Sequence, residues 1–230
     1  MLSRARATPN AFGTANHLIA STDVPTSIVT SMVDSFAAMT NSSPVYESLA
    51  MSVRRLIDAT IRTEVDHDVI AAATAQIDAV TADLSTALMP GAFGERAVED
   101  GQGIASGNVV VGARNPTAPP LIVNRENDGS VWTEFVLGAA YEGPSGHVHG
   151  GVSAMVLDHI LGATAHQPGR PAYTGTLTVR YHRKTPLSRP LRARAWVERV
   201  EGVKTFAAGE IGDADGPMVS AHGVFIHPRK

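Results

Sequence analysis

Asp158 carries the one formal charge between Val148 and Ala165, in the run Val-His-Gly-Gly-Val-Ser-Ala-Met-Val-Leu-Asp-His-Ile-Leu-Gly-Ala-Thr-Ala. A lone carboxylate in such surroundings is costly unless it has a partner or a task. Its chemistry would be that of a general base, or of a nucleophile toward an acyl carbonyl. The structural alternative is a buried carboxylate bonded to backbone amides or to an arginine, with burial raising its pKa and accepted hydrogen bonds lowering it. Upstream, Gly150 and Gly151 place unobstructed N–H groups at a helix N-terminus. Orphan donors and partial positive charge there suit a carbonyl oxygen that develops negative charge during acyl transfer. Two glycines equally suit a tight turn into the helix. Gly151 and Asp158 are seven residues apart, roughly 10 Å along a helix at ~1.5 Å per residue. If both act on one carbon, they come from two antiparallel copies, so an obligate dimer with interfacial sites is expected.

Other motifs in the same run are weaker. Gly151-Val152-Ser153-Ala154-Met155 lacks the closing glycine of a nucleophile elbow, and Ser153 and Asp158 lie ~140° apart around a helix. His147, His149, Asp158, His159 and His166 match no metal-ligand spacing. His147 reads as a turn residue and His159 as a hydrogen-bonded core histidine.

The helix that must carry Asp158 has Val152, Met155, Val156, Ile160 and Ala163 at helical spacing. Asp158 falls on another side with Gly151, Ala154, Leu161, Gly162 and Ala165, where small residues admit a backbone or a ligand. A helix apolar nearly all round is a buried helix. Strand-like runs flank it at Asn108–Ala113, Pro120–Asn124 and Ser130–Leu137 before, and at Tyr173–His182, Leu191–Val200, Thr205–Ile211 and Met218–His227 after. Strands, one long apolar helix, then strands again read as α+β, a mainly antiparallel sheet wrapped around the helix.

Residues 1–24 have no period, and a helical stripe follows at Ile28, Val29, Met32, Val33 and Phe36. Ser43-Pro44 is a helix start, and Val45, Leu49, Val53, Leu56, Ile57 and Ile61 keep one face apolar. After a break at Thr63–Asp68, Val69, Ala73, Ile77, Val80 and Leu84 carry a further helix, with one long bent helix as the alternative. The division expected is 1–90 helical extension, 91–106 linker and 107–230 the sheet-and-helix domain.

Composition excludes several classes. With 43% hydrophobic and 18% charged residues the chain is globular, and no run approaches the ~20 apolar residues of a membrane span. No apolar region follows the early arginines, so no signal peptide is expected. The absence of cysteine rules out thiol nucleophiles and disulfides and fits a cytoplasmic protein. Net charge is −3, but residues 180–204 are basic through Arg180, Arg183, Lys184, Arg189, Arg192, Arg194, Arg199 and Lys204. That stripe suits a phosphate-bearing small ligand or is a solvated strand face. No aromatic interleaving or nucleic-acid motif accompanies it, and no nucleic-acid partner is expected.

The sequence resembles the hot-dog-fold acyl-CoA thioesterases, in their PaaI-like branch. The resemblance rests on His149-Gly150-Gly151 through Asp158, then Thr174-Gly175-Thr176-Leu177-Thr178-Val179-Arg180-Tyr181, in that order and spacing, and covers roughly residues 105–228. The basic-Pro turn expected after the tyrosine is altered to Arg183-Lys184-Thr185-Pro186. The resemblance implies a hot-dog homodimer or higher homo-oligomer that hydrolyses acyl-CoA, with no cofactor beyond the CoA of the substrate and no metal. Asp158 would activate water or attack the thioester, and the Gly151 N–H would polarise its carbonyl. His149 would orient the thioester, and Thr174 would hold the water or the aspartate. Gly150, Arg180, Arg183 and Lys184 would contact the substrate, the basic groups through CoA phosphates. A hot-dog dehydratase or hydratase and a non-catalytic acyl-CoA binding or scaffold protein are the alternatives.

Overall fold

The computed structural model describes residues 44–91, 106–119, 121–166 and 170–229. The expected helical stripe at 28–36 and nearly all of the 91–106 linker lie outside the described residues. Two helices lead: α1 (Pro44–Arg62) and α2 (His67–Ser85), separated by Thr63–Asp66, so the two-helix reading holds over a single bent helix. The strands are β1 (Asn124–Arg125), β2 (Val131–Phe135), β3 (Tyr173–Tyr181), β4 (Leu191–Glu201), β5 (Lys204–Asp213) and β6 (Gly216–Ile226), with α3 (Gly150–Ala165) between β2 and β3. They form one antiparallel sheet in the order β1-β2-β4-β5-β6-β3.

Small residues set how closely α3 approaches the sheet. Ala193 and Ala195 on β4, Ala207 on β5 and Ala221 on β6 are fully or almost fully buried. Gly209 and Gly223 complete this floor. A Cβ on Gly209 would fall 2.5 Å from Leu161 Cδ1 and 2.8 Å from the Arg194 carbonyl oxygen, and one on Gly223 would fall 3.1 Å from Leu161 Cδ2. Leu161 therefore seats over the missing side chain at Gly209, and the Phe225 ring, with Leu161 Cδ2 beside it, over the one at Gly223. The deeply buried arc of α3 is Ser153, Val156, Leu157, Ile160, Leu161 and Thr164. This corrects the expected face: Val152, Met155 and Ala163 are only half-buried. Helical period alone could not orient a helix whose apolar residues run almost all round.

Two expected strands are not strands. Residues 108–113 form turns, because the Asn108 side-chain oxygen accepts the Val110 and Val111 N–H groups at 2.7 and 3.1 Å and its carbonyl accepts Gly112 N–H at 2.9 Å. Such an Asx turn competes with strand pairing. The 120–124 run contributes only its end, as two-residue β1.

The helical extension is tied to the sheet domain. Arg54 on α1 donates to the carbonyls of Ala118 (3.3 Å), Gly112 (3.2 Å) and Asn115 (2.7 Å), and Ala50 is buried. Helix α2 differs. None of its residues is buried, and Val69, Ile70, Ile77, Val80 and Leu84 are exposed. No helix among the described residues is long and apolar enough to cross a membrane.

Candidate active site

The turn into α3 is fixed before the helix starts. His149 N–H donates to the Tyr141 carbonyl and Val148 N–H to the Thr185 carbonyl, both at 2.9 Å, and His147 bridges to Pro186. The altered turn after β3 thus holds the glycine motif. His149 is the N-cap, and its Nδ1 accepts the Gly151 N–H at 3.0 Å, which places the ring proton on Nε2. The Tyr181 hydroxyl, at the end of β3, donates to the Gly150 carbonyl at 2.9 Å. His147 Nδ1 sits 2.7 Å from the Ser145 carbonyl, a turn contact as expected.

Two turns along α3, Asp158 Oδ1 accepts a 2.8 Å hydrogen bond from Thr174 Oγ1. One carboxylate oxygen is thereby anchored. Thr174 is presented by a bulge: the register of β3 against β6 shifts between Thr174 and Thr176, leaving Gly175 unpaired. Bulges re-aim side chains, and Gly175 inside a strand run is the sequence signal for this one. The structure therefore brings Asp158 and Thr174 together, and His149 with Gly151, as two separate pairs within one chain.

Beside Asp158 opens a cavity of about 850 Å³. α3 contributes Asp158, His159, Gly162 and Ala163 to its wall, and His166, just past its end, adds to them. At ~100° per residue these lie on the far side of the helix from Leu157, Leu161 and Thr164. The opposite wall is mainly apolar, from Val111 and Leu121 to Val131 and Phe225. The cavity and its 108–125 wall were not visible in the sequence, because they join segments distant along the chain. Among the described residues no three His, Asp or Glu side chains could hold a metal.

His159 is a correction: it lines this cavity rather than a core, and among the described residues no hydrogen bond reaches its ring. Burial pushes its pKa below the usual histidine value, against a smaller opposing pull from the Asp158 charge. The neutral ring is thus favoured in the fold. The stability it contributes is fully present above the unfolded histidine pKa of ~6.5 and is lost as pH falls through the lower folded value. The unfolding free energy of the wild type should fall between pH 7.5 and 5 more steeply than that of His159→Gln, by at most about 1.4 kcal/mol per pH unit. Parallel slopes in urea titrations would refute it.

The basic stripe divides. Arg183 is forked onto the Asp213 carboxylate and also donates to the Gly216 and Pro217 carbonyls, so it is not the uncommitted cation the sequence suggested. Arg194 pairs with Glu210 at 2.8 Å, Arg199 with Glu201 at 2.7 Å and Arg192 with Glu134 at 3.8 Å. Arg180 and Lys184 are exposed and have no carboxylate within 4 Å among the described residues.

Residues 145–220 match the thioesterase superfamily, a span that runs from the glycine turn through α3 and β3 into β6. Acyl-coenzyme A thioesterase THEM4 of Xenopus laevis is 35% identical over 94 residues, 40% of this chain. The alignment spans 42% of that protein's length. A crystal structure of a thioesterase superfamily protein superimposes with a TM-score of 0.72 and 34% identity, over 81% of this chain and 92% of that one. The sheet wrapped around α3 is thus the hot-dog fold, and the chain belongs to the thioesterase superfamily.

Proposed function

We propose that the chain hydrolyses an acyl-CoA thioester to the free acid and CoA. The observation that carries this is Asp158, held by Thr174 at 2.8 Å, at the wall of a largely apolar cavity of about 850 Å³. Thr174 occupies Oδ1, which leaves Oδ2 to act. As a base it takes a proton from water while the hydroxide adds to the thioester carbonyl. The tetrahedral intermediate then expels the CoA thiolate, which recovers the proton. As a nucleophile it adds to the carbonyl, the C–S bond breaks to release the CoA thiolate, and water cleaves the resulting mixed anhydride to the free acid and the carboxylate, its second proton going to the thiolate. Either route needs a donor for the oxyanion.

In this reading the donor is the Gly151 N–H of a second copy, released from His149 Nδ1 when substrate binds. Strand β3 supports the dimer: it ends the sheet, its outer edge is unpaired among the described strands, and most of its residues are exposed. An open edge of nine residues is a template for another chain. The half-buried Val152 and Met155 lie away from the sheet-facing arc of α3 and suit the same contact. In the same reading the exposed Arg180 and Lys184 would meet CoA phosphates. CoA enters as part of the substrate.

The test is thiol release from a panel of acyl-CoAs, aliphatic from short to long plus aromatic, with the oligomeric state measured by light scattering. Turnover by a dimer or larger assembly is expected. Tight CoA binding without turnover on any acyl group would overturn the hydrolase in favour of a binding protein, and enoyl-CoA hydration without thiol release in favour of a hydratase.

A further inference from the structure

The peptide unit between Gly150 and Gly151 is held by a side chain at each of its polar atoms. Its N–H, the proposed oxyanion donor, donates to His149 Nδ1 at 3.0 Å, and its carbonyl accepts the Tyr181 hydroxyl at 2.9 Å. Both rings lie close to the backbone. A Cβ on Gly150 would fall 3.2 Å from the Tyr181 ring, and one on Gly151 3.1 Å from His149 Nδ1. The peptide sits in the first turn of α3, where N–H groups have no partner within the helix. Neither glycine has a side chain that packing could grip, and glycine backbone is the least restricted. Among the described residues, these two bonds are the side-chain restraints on the peptide. A substrate oxygen that takes the N–H displaces His149, and the Tyr181 bond is the one left.

Tyr181 is itself anchored. It ends β3 opposite Val219, and the next two N–H groups, of His182 and Arg183, donate to the Met218 carbonyl at 2.8 and 3.2 Å. Arg183, forked onto Asp213, pins the same corner. Strand β3 therefore restrains both sets of reacting groups, with Thr174 on Asp158 near its start and Tyr181 on Gly150 at its end. A two-fold dimer through the β3 edge pairs the strand antiparallel with its mate. The start of one strand then lies against the end of the other. Such pairing would bring the tyrosine-held donor of one copy toward the threonine-held carboxylate of the second.

Resting on the thioesterase reading, we propose that Tyr181 is a positioning residue for the oxyanion donor. Its hydroxyl fixes the plane of the Gly150–Gly151 peptide while His149 is displaced. By drawing charge onto the carbonyl oxygen it also strengthens the N–H as a donor, as linked hydrogen bonds polarise one another. It acts through the peptide and touches neither the thioester nor the attacking group.

Tyr181→Phe keeps the ring over Gly150 and removes the hydroxyl, and because Tyr181 is exposed the core stays closed. Thiol release on the best acyl-CoA of the panel should show kcat lowered about tenfold and KM within about twofold, since the weakened interaction belongs to the transition state. Gly150-Gly151 is the one Gly-Gly pair in the sequence. Glycine isotopically labelled at its carbonyl carbon and its nitrogen thus gives a single cross-peak joining a labelled carbonyl to a labelled amide. In Tyr181→Phe that carbonyl carbon should move upfield as it loses a donor, with thermal unfolding unchanged. An unchanged kcat, or a lowered kcat with the carbonyl carbon unmoved, overturns the assignment and leaves the thioesterase standing. A raised KM at constant kcat does the same, because it puts the hydroxyl on the substrate. No thiol release by the wild type overturns both.

Discussion

Asp158→Asn is expected to lower kcat for acyl-CoA hydrolysis by about 10²–10⁴-fold, the range that a positioned proton-transfer group supplies. The substitution is nearly isosteric, and its amide oxygen can still accept from Thr174 Oγ1, which bonds the wild-type carboxylate at 2.8 Å. It removes the negative charge and the basic lone pair at the second oxygen, so base and nucleophile are lost together. KM should change far less than kcat, because the cavity walls are untouched and an interaction made only in the transition state is what disappears. Steady-state thiol release on the best panel substrate, with thermal unfolding as a fold control, decides it. Retained turnover in a folded variant would remove Asp158 from the chemistry.

Leu161→Ala carries the largest stability effect, a loss of about 2–5 kcal/mol in unfolding free energy. Leu161 is wholly buried; its Cδ1 takes the place of a side chain at Gly209, and its Cδ2 packs beside Gly223, where the Phe225 ring takes that place. The floor beneath it is alanine and glycine backbone in a paired sheet, which collapses poorly into a void. Filling the place at Gly209 from below with Gly209→Ala should cost about 1–3 kcal/mol through overpacking. The new methyl meets Leu161 Cδ1 at 2.5 Å but also the Arg194 carbonyl at 2.8 Å, so the double variant should recover only part of the sum. Urea unfolding at one fixed protein concentration gives all four corners of the cycle. An additive result would mean that Leu161 and Gly209 do not share the space described.

Much of this architecture was legible because the determinants are local. The long apolar run announced α3, alternation and turn residues marked β3 to β6, and the Thr63–Asp68 run suggested a break, which the structure places at Thr63–Asp66 between α1 and α2. What failed depends on tertiary partners. Asn108–Ala113 has strand composition, yet the Asn108 side chain diverts two backbone N–H groups into a turn. Arg183 looked available because Asp213, its partner, lies 30 residues away. His159 shares a helical stripe with core residues, and only the folded chain shows that this side of α3 looks into a cavity. The resemblance implied that Thr174 holds either the water or the aspartate; the Gly175 bulge that aims the threonine was not anticipated.

The three carbonyls gripped by Arg54 belong to Gly112, Asn115 and Ala118, in the same segment that supplies Asn108, Val111 and Leu121 to the cavity wall. The chamber is therefore a composite vessel, with Asp158 on its α3 side and its outer side clamped by a helix far upstream. A shortened chain starting at the sheet domain would keep Asp158 and Thr174 and still lose the brace that sets the vessel's width. Under the proposed hydrolysis, substitutions in α1 should therefore change which acyl groups fit while leaving Asp158 and Thr174 as they are.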